Sequence, residues 1–293
     1  MTSFVTGGEG FIGSYLCEHL RAQGDQVVAP SRTGADVRDA AAMLRLLSET
    51  RPQTIFHLAA QSLPGISWEN PAETFKVNVG GTIHVLEAVR AAGLDAQLVV
   101  AGSSAEYAPG ERPIREDDSL RPSSPYAASK IAVSQMAELY GRRYGMKVVR
   151  VRPFFLIGPR KRGDVCSDLA RRVVAIERGE ATELRVGRLD IVRDFLDVRD
   201  GVTALTLLGT KGQPGEAYNI CSGTAYTIGD VLETFRKQAL VPIRACPDPS
   251  LLRPIDEPVK VGNPSKLRVL GWSSQYSLER SVGDILAYWR SQP

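Results

Sequence analysis

The sequence contains few residues of the kinds that bind metals or form disulfides. Its 293 residues include four cysteines and three histidines. The cysteines are far apart, at Cys17, Cys166, Cys221 and Cys246, and form no Cys-x-x-Cys pair. Neither a zinc site nor a disulfide framework is therefore indicated. We expect no metal, and a reduced, cytoplasmic protein.

Long apolar runs and a strong charge of either sign are also missing. No run approaches the length that spans a membrane, and Met1-Thr2-Ser3-Phe4 runs directly into a predicted strand, which leaves no room for a signal peptide. The 36 Lys and Arg against 33 Asp and Glu give a formal net charge of +3. This charge is too small to argue for nucleic acid or an anionic membrane as a partner. We expect neither.

The residues that are present follow an alternating pattern of strands and helices. Short apolar runs predict strands at 3–6, 26–29, 54–58, 98–101 and 147–152, and amphipathic stretches predict helices at 12–22, 40–49, 72–91, 126–144 and 278–290. The βαβα order favours an α/β fold with a doubly wound parallel sheet covered on both faces. We expect a dinucleotide-binding domain at 1–155, rejoined by about 194–212, and a smaller α/β substrate-binding lobe in most of 156–293.

A glycine-rich turn follows the first predicted strand. In Thr6-Gly7-Gly8-Glu9-Gly10-Phe11-Ile12-Gly13, glycines occur at the spacings Gly-x-Gly-x-x-Gly and Gly-x-x-Gly-x-x-Gly. Missing side chains let the backbone approach a pyrophosphate, and the free amides of the following helix stabilise its charge. The position between a strand and a helix predicts a Rossmann-type dinucleotide site.

The end of the second predicted strand bears on which dinucleotide binds. NAD sites place an acidic residue there for the ribose 2′-hydroxyl, but this chain has Ser31 and Arg32. An arginine suits a 2′-phosphate, so NADP (as NADPH) is favoured over NAD, although a solvated Arg32 is the alternative. Asp36 is a candidate acceptor for the adenine amino group or, alternatively, a cap for the next helix.

Tyr126 and Lys130 lie one helical turn apart, downstream of a Gly102-Ser103-Ser104 turn. A cation on the same helix face favours the phenolate and would lower the pKa of Tyr126, which is a way to tune an acid–base group. The pair alone is common in ordinary helices, so its significance depends on the other motifs.

Together these motifs resemble those of the extended short-chain dehydrogenase/reductase family. The resemblance rests on the glycine turn, His57-Leu58-Ala59-Ala60, Val77-Asn78, Gly102-Ser103-Ser104-Ala105-Glu106-Tyr107, Tyr126-x-x-x-Lys130 and Arg152-Pro153-Phe154. Later stretches, at 193–200, 218–223 and 252–272, resemble its nucleotide-sugar branch, above all the enzymes that reduce a GDP-linked 4-keto-6-deoxy-mannose.

The resemblance implies a role for each matching residue. Tyr126 is the expected general acid, Lys130 binds the nicotinamide ribose, and Ser103 hydrogen-bonds the substrate oxygen. The expected cofactor contacts are Gly7, Gly10, Phe11, Ile12, Gly13, Ser31, Arg32, Asp36, Val37, Leu58, Ala59, Ala60, Tyr126 and Lys130. The expected substrate contacts are Ser104, Glu106, Arg193 and Arg253. Asn78 is expected to support the active site.

Two departures from the family pattern refine this expectation. Dehydratases of the branch carry an acid pair directly after the residue that matches Ser103, but this chain has Ser104 and Ala105 there, so elimination of water is not expected. Glu106 lies one residue too far and, on a strand-like backbone, would point to the opposite side. Phe155 stands where relatives usually have an asparagine near the substrate diphosphate.

The implied function is NADPH-dependent reduction of the C4 ketone of a nucleoside-diphosphate 4-keto-6-deoxy sugar, with a GDP sugar favoured and GDP-rhamnose or GDP-6-deoxy-talose as product. An NAD-dependent nucleotide-sugar 4-epimerase is the nearest alternative, and a non-catalytic NAD(P) sensor is an alternative of another class. The basic run at 160–162 is either a diphosphate attractor or a solvated face. By resemblance, helices at 79–91 and 126–144 pair in a homodimer.

Overall fold

The computed structural model describes residues 1–110, 112–251 and 257–293. The strands are β1 (Thr2–Thr6), β2 (Gln26–Val28), β3 (Thr54–His57), β4 (Gln97–Ala101), β5 (Val148–Pro153), β6 (Phe155–Ile157), β7 (Leu184–Val186), β8 (Val192–Arg193), β9 (Phe195–Asp197), β10 (Ala217–Ile220), β11 (Tyr226–Thr227), β12 (Ala245–Pro247) and β13 (Val259–Lys260). The helices are α1 (Phe11–Ala22), α2 (Ala40–Thr50), α3 (Pro64–Glu69), α4 (Pro71–Phe75), α5 (Gly81–Ala91), α6 (Pro125–Tyr144), α7 (Val165–Glu177), α8 (Val198–Lys211), α9 (Ile228–Gln238), α10 (Ser265–Val269) and α11 (Leu278–Ser291).

Six strands form the main sheet, in the order β10-β5-β4-β3-β1-β2. Every neighbouring pair in it is parallel. Helices α1 and α8 cover one face, and α2, α5 and α6 cover the other, each over its own apolar cluster. The predicted doubly wound parallel sheet is therefore confirmed. The five strands and five helices predicted from the sequence, all within residues 3–152 except the last helix, lie within two residues of their predicted bounds.

The chain returns to this sheet after leaving it. The strand β10, which was not predicted, adds to the outer edge of β5, and α8 packs beside α1 and against β3, β4 and β5. Helices α7, α9 and α11 enclose a third apolar cluster, and the short sheets β11-β8-β13, β12-β7 and β6-β9 lie in this part of the chain. The proposed division into a cofactor domain and a substrate lobe stays a prediction.

Local sequence explains where helix α6 begins. Ser124 caps it, because its side chain accepts a hydrogen bond from the amide of Ala127 at 3.2 Å. Pro125 then occupies the first helical position, where a missing N–H costs nothing. Gly145 ends the helix in the left-handed conformation, at φ 67°. Tyr126 is thereby fixed in the first turn.

The predicted helix at 72–91 is continuous but not uniform. Between α4 and α5 its backbone widens into a π-helical segment, Lys76–Gly80. Such segments are rare and frequently occur at functional sites. Asn78 lies in this segment and is 1% exposed. Among the described residues, no helix is long and apolar enough to cross a membrane.

Candidate active site

The glycine turn is tightly packed against the end of β3. Gly7 has a positive φ of 72°, and a Cβ atom on it would lie 2.8 Å from the amide nitrogen of Ala59. A Cβ on Gly13 would lie 2.1 Å from the carbonyl oxygen of Gly7. Neither position has space for a side chain, so the turn, α1 and the segment at 58–60 are held in contact.

Gly10 differs from its neighbours because it faces open space. Among the described atoms, a Cβ on Gly10 would meet only the carbonyl oxygen of Gly7 within 4 Å, at 3.2 Å. Gly10 precedes Phe11 at the start of α1 and supplies no side-chain cap, which leaves the first amides of the helix for another acceptor. Free amides beside open space suit the pyrophosphate of a dinucleotide.

The residues after β2 form a polar edge beside this turn. Ser31 accepts a hydrogen bond from the amide of Gly34 at 3.0 Å. The side chain of Arg32 is 75% exposed, and its Nε lies 3.6 Å from Asp36. The guanidinium of Arg32 is exposed and not closely packed, so it is accessible to a ribose phosphate.

Asp36 is held by a residue that the sequence did not single out. Arg38 donates to it from Nε at 3.0 Å and from Nη2 at 2.7 Å, and these bonds lower the pKa of Asp36 to about 2. Arg38 also reaches Glu73 of α4 at 2.5 Å. The alternative reading of Asp36 as a helix cap is wrong, because Asp39 caps α2.

His57 joins the glycine turn to α5 through a chain of hydrogen bonds. Thr82 donates to the carbonyl of Asn78 at 2.6 Å, so its oxygen accepts from His57 Nε2 at 3.0 Å. His57 Nδ1 then accepts from Thr6 at 2.8 Å. Thr6 in turn accepts from the amides of the two residues after His57, at 3.2 Å each. These contacts assign the Nε2–H tautomer.

Asn78 extends the same chain of hydrogen bonds to α6. Its side-chain oxygen accepts from the amide of Gln61 at 2.7 Å, and its Nδ2 donates to Ser129 at 2.9 Å. Ser129 donates to the carbonyl of Tyr126 at 2.7 Å. Asn78 therefore connects the loop after β3 to α6.

Ser103 and Tyr126 lie together at the end of β4. Ser103 accepts from the amide of Ala105 at 3.1 Å and keeps its own proton to donate. The hydroxyl of Ser103 lies near the phenol of Tyr126. Burial raises the pKa of Tyr126, and the nearby Ser103 hydroxyl opposes this shift only in part. The direction is opposite to the expected lowering by Lys130.

Lys130 is 5% exposed, and its expected contact to the nicotinamide ribose stays a prediction. Its ammonium donates to the carbonyl of Ala101 at 2.7 Å. Burial lowers the pKa of Lys130 to about 8, against the opposing negative charge of Glu106. Since Tyr126 and Lys130 share one face of α6, both side chains reach the end of β4.

The backbone at Ser104, Ala105 and Glu106 does not have the strand-like conformation that was expected. Residues Ser104–Glu106 form a single 3₁₀ turn and not a strand. Ser104 is 6% exposed, and Glu106 is fully buried. Glu106 accepts from the amide of Ser103 at 2.9 Å and from Arg152 at 2.8 Å. The expectation that Glu106 contacts the substrate is therefore wrong, because its carboxylate is enclosed and used by the protein.

Arg193, an expected substrate contact, is 9% exposed. It donates to the carbonyl of Glu257 at 2.6 Å and lies over the ring of Phe155, 5.3 Å from its centroid. Phe155, which replaces the family asparagine, also packs against Phe195 at 6.1 Å. Arg253 lies outside the described residues.

The basic run at 160–162 is largely engaged within the fold. Arg160 binds Glu18 at 2.5 Å and lies over the ring of Tyr15. Lys161 donates to the carbonyl of Leu156 at 2.5 Å and pairs with Asp164 at 3.0 Å. These contacts fasten the loop to α1 and α7, so they do not support the interpretation as a diphosphate attractor.

Sequence reasoning missed two side chains that complete this region, Ser134 and Thr6. Ser134 follows Tyr126 and Lys130 at the helical spacing i, i+4, i+8, and it donates to Glu106 at 2.9 Å. That spacing was a usable signal, because such residues share one helix face. Thr6 ends β1 directly before the glycine turn, but nothing in the sequence indicates its bond to His57.

Comparisons with known proteins agree with this geometry. Residues 3–221 match the model of the NAD dependent epimerase/dehydratase family. A GDP-6-deoxy-D-mannose reductase from Pseudomonas aeruginosa is 31% identical, over 99% of this chain and 97% of the relative.

Two solved structures extend the comparison. The structure of RMD from Pseudomonas aeruginosa complexed with NADPH has a TM-score of 0.92 at 30% identity, over 99% of both chains. The UDP-glucose 4-epimerase of Thermus thermophilus in complex with NAD has a TM-score of 0.87, also at 30% identity over 99% of both chains.

The buried His57 predicts a specific loss of stability in acid. Burial lowers the pKa of His57 to about 3, against 6.5 in an unfolded chain. The unfolded protein therefore binds a proton below pH 6.5 that the folded protein does not, and stability falls as pH decreases from that value towards 3. Between pH 7 and pH 5 this group alone should cost about 2 kcal/mol.

Urea unfolding at both pH values, compared between the wild type and His57→Gln, measures this cost. The substituted protein should lose about 2 kcal/mol less between pH 7 and pH 5. His84→Gln, which removes a partly exposed histidine, is the matched control and should keep the wild-type pH dependence. An equal loss in the wild type and His57→Gln would contradict the assignment of a neutral His57.

Proposed function

This chain belongs to the NAD dependent epimerase/dehydratase family, and from that membership we propose that it reduces the C4 ketone of a nucleoside-diphosphate 4-keto-6-deoxy sugar with NADPH. The observation that carries the proposal is the hydroxyl pair of Ser103 and Tyr126 beside the buried Lys130. Two neighbouring hydroxyl donors suit a ketone oxygen on which negative charge develops.

The residues after Ser103 argue against dehydration. Elimination of water needs a base close to the reacting carbons, and the two positions after Ser103 are Ser104 and Ala105. The next carboxylate, on Glu106, is enclosed by Ser103, Ser134 and Arg152. A site with hydrogen-bond donors and no accessible base at these positions favours reduction.

The groups around the glycine turn and Lys130 fit the proposed cofactor. The amides at the start of α1, the open space beside Gly10 and the segment at 58–60 would hold its pyrophosphate, and Lys130 its nicotinamide ribose. NADPH, when bound, supplies a hydride to the ketone carbon. Ser103 and Tyr126 donate hydrogen bonds to the ketone oxygen, and Tyr126 gives its proton to the alkoxide, so the product is a neutral alcohol.

The raised pKa of Tyr126 suits this direction of reaction. A phenol whose pKa is raised by burial keeps its proton at neutral pH, so it is ready to protonate an alkoxide, which is a far stronger base. Lys130, with a pKa of about 8, is predominantly charged at pH 7 and balances negative charge at the oxygen. The tyrosine therefore acts as an acid and not as a preformed phenolate.

The relatives support a GDP-linked substrate. One is named GDP-6-deoxy-D-mannose reductase and covers almost the whole chain, and the RMD structure contains NADPH. We propose GDP-4-keto-6-deoxy-mannose as substrate and GDP-rhamnose as product, with GDP-6-deoxy-talose the product if hydride is added to the opposite face. The similar epimerase with NAD makes 4-epimerisation the outcome to test against.

Continuous oxidation of NADPH at 340 nm, with GDP-, dTDP-, UDP- and CDP-linked 4-keto-6-deoxy sugars, tests the proposed reaction. We expect turnover with the GDP sugar, and NMR of the product gives its C4 configuration. Tyr126→Phe removes the proton donor and should lower kcat by at least about a hundredfold, because general acid catalysis contributes on that order, while NADPH binding persists. Isomerisation of a nucleotide sugar without added NADPH would contradict reduction as the function.

Arg32 should decide the preference for NADPH. Arg32→Ala removes the proposed phosphate contact and should raise the KM for NADPH about tenfold or more, because a hydrogen bond to a charged group is worth about 1.5–3 kcal/mol. The KM for NADH should not change. Arg185→Ala is the matched control, since Arg185 is 73% exposed and also faces an aspartate, Asp248, at 3.4 Å. An equal effect on both cofactors would contradict the phosphate contact.

We also propose that α5 and α6 pair with those of a second copy in a homodimer. Exposed apolar side chains on or beside these helices support it: Phe75 is 40% exposed, Leu139 55% and Tyr144 49%. Sedimentation at micromolar concentration should give a dimer, and Leu139→Lys should shift it towards monomer. Leu240→Lys, at a site that is 74% exposed and outside these helices, should not. A monomeric wild type would contradict the pairing.

A further inference from the structure

Glu106 is a fully buried carboxylate one turn of backbone after Ser103. Its Oε1 accepts from the amide of Ser103 at 2.9 Å, and its Oε2 accepts from Nε of Arg152 at 2.8 Å. The hydroxyl of Ser134 lies between the two oxygens, 3.0 Å from Oε1 and 2.9 Å from Oε2. Each oxygen is thus used twice.

The neighbouring glycine provides the space for this carboxylate. A Cβ atom on Gly102 would lie 2.1 Å from Glu106 Oε1 and 3.0 Å from the hydroxyl of Ser134. The absence of a side chain at Gly102 therefore lets the carboxylate lie against the backbone that carries Ser103. The Gly-Ser-Ser turn and Glu106 are two parts of one packing arrangement.

The three donors come from three different elements around the proposed site. Ser103 follows β4, Ser134 lies on α6 two turns after Tyr126, and Arg152 lies on β5. Arg152 is itself fixed, because it also donates to the hydroxyl of Tyr107 at 2.8 Å and to a backbone carbonyl at 3.0 Å. Movement of Glu106 would displace donors on all three elements.

We propose that Glu106 is a positioning residue for the reaction: it fixes Ser103 against α6 and supplies the negative charge that faces Lys130 and Tyr126. This inference rests on the proposed function for its rate effects but not for its charge effect. Glu106 itself does not contact the substrate, since its carboxylate is enclosed.

Burial raises the pKa of Glu106, and Arg152, the amide of Ser103 and the hydroxyl of Ser134 oppose this shift by stabilising the charged form. Lys130 is buried, which lowers its pKa to about 8, and Glu106 is the group whose charge opposes that lowering. The same charge adds to the effect of burial in raising the pKa of Tyr126. The other ionisable groups around the carboxylate are Arg152 on β5, which pairs with it, Tyr107 and, near Lys130 on β3, the neutral His57.

The charge is tested with Glu106→Gln and NMR of ¹³Cε-labelled lysine, which needs no substrate. The Lys130 signal, assigned by its loss in Lys130→Arg, should titrate at a pH lower by about one unit in Glu106→Gln, because a buried carboxylate nearby shifts a cation by at least that amount. Lys260 is the internal control: it is also buried, its charged partner is Glu257, and its signal should not move. An unchanged Lys130 midpoint would overturn the electrostatic part.

The positioning is tested with Glu106→Asp, which keeps the charge but withdraws the carboxylate from Ser103 by one methylene. The kcat for ketone reduction should fall about tenfold to a hundredfold, as displacement of a catalytic group by about 1 Å does, with KM for NADPH unchanged. The Lys130 midpoint should stay near the wild-type value. A wild-type kcat in Glu106→Asp would overturn the positioning role.

Further controls test whether the effects are specific to Glu106 and whether they depend on the proposed function. Asp200→Asn removes another buried carboxylate, which binds the amides of Gln275 and Tyr276, and should leave both the Lys130 midpoint and KM for NADPH unchanged. If Glu106→Gln does not fold, Glu106→Asp decides alone. If the wild type reduces no 4-keto sugar while the Lys130 midpoint still responds to Glu106→Gln, the proposed function fails and the charge assignment stands.

Discussion

Parallel pairing of β1, β3 and β4 is the constraint on which the site depends. The carboxyl ends of parallel strands meet at the same edge of a sheet, and ligands bind in the crevice beyond that edge. Thr6 ends β1, His57 ends β3 and Ala101 ends β4. The glycine turn, the segment at 58–60 and the turn with Ser103 are therefore neighbours, although about fifty residues of chain separate each from the next.

Buried polar groups then fix these neighbours relative to one another. A polar group taken from water without a partner costs free energy, so each such group in the interior needs a hydrogen bond. Two connected chains meet that need here, one from Thr6 through His57 to Asn78, the other from Ser103 through Glu106 to Arg152. Both chains also reach α6, which carries Tyr126 and Lys130, the first through Ser129 and the second through Ser134. The register of the strands therefore determines where these side chains lie.

Proteins of this family have the same fold but are named for different reactions, so a few local residues must decide which reaction takes place. The relatives include a protein named as a reductase, and the similar structures include a UDP-glucose 4-epimerase with a TM-score of 0.87. Fold alone therefore does not select the reaction. What favours reduction here is local: Ser104 and Ala105 provide no base, and Arg32 replaces an acid at the end of β2. The burial of Glu106 strengthens the same conclusion.

The sequence by itself determined strands β1 to β5, helices α1, α2, α5, α6 and α11, the glycine turn and the family resemblance, because periodicity and glycine spacing are local properties of the chain. It also indicated Ser103, Tyr126 and Lys130 through their motifs. Only the tertiary structure decided that Lys130 donates to Ala101, that Arg38 holds Asp36, and that Glu106 lies in the interior. These contacts depend on which side chains from distant parts of the chain come together and on how far they exclude water. The spacing of residues along the chain determines neither.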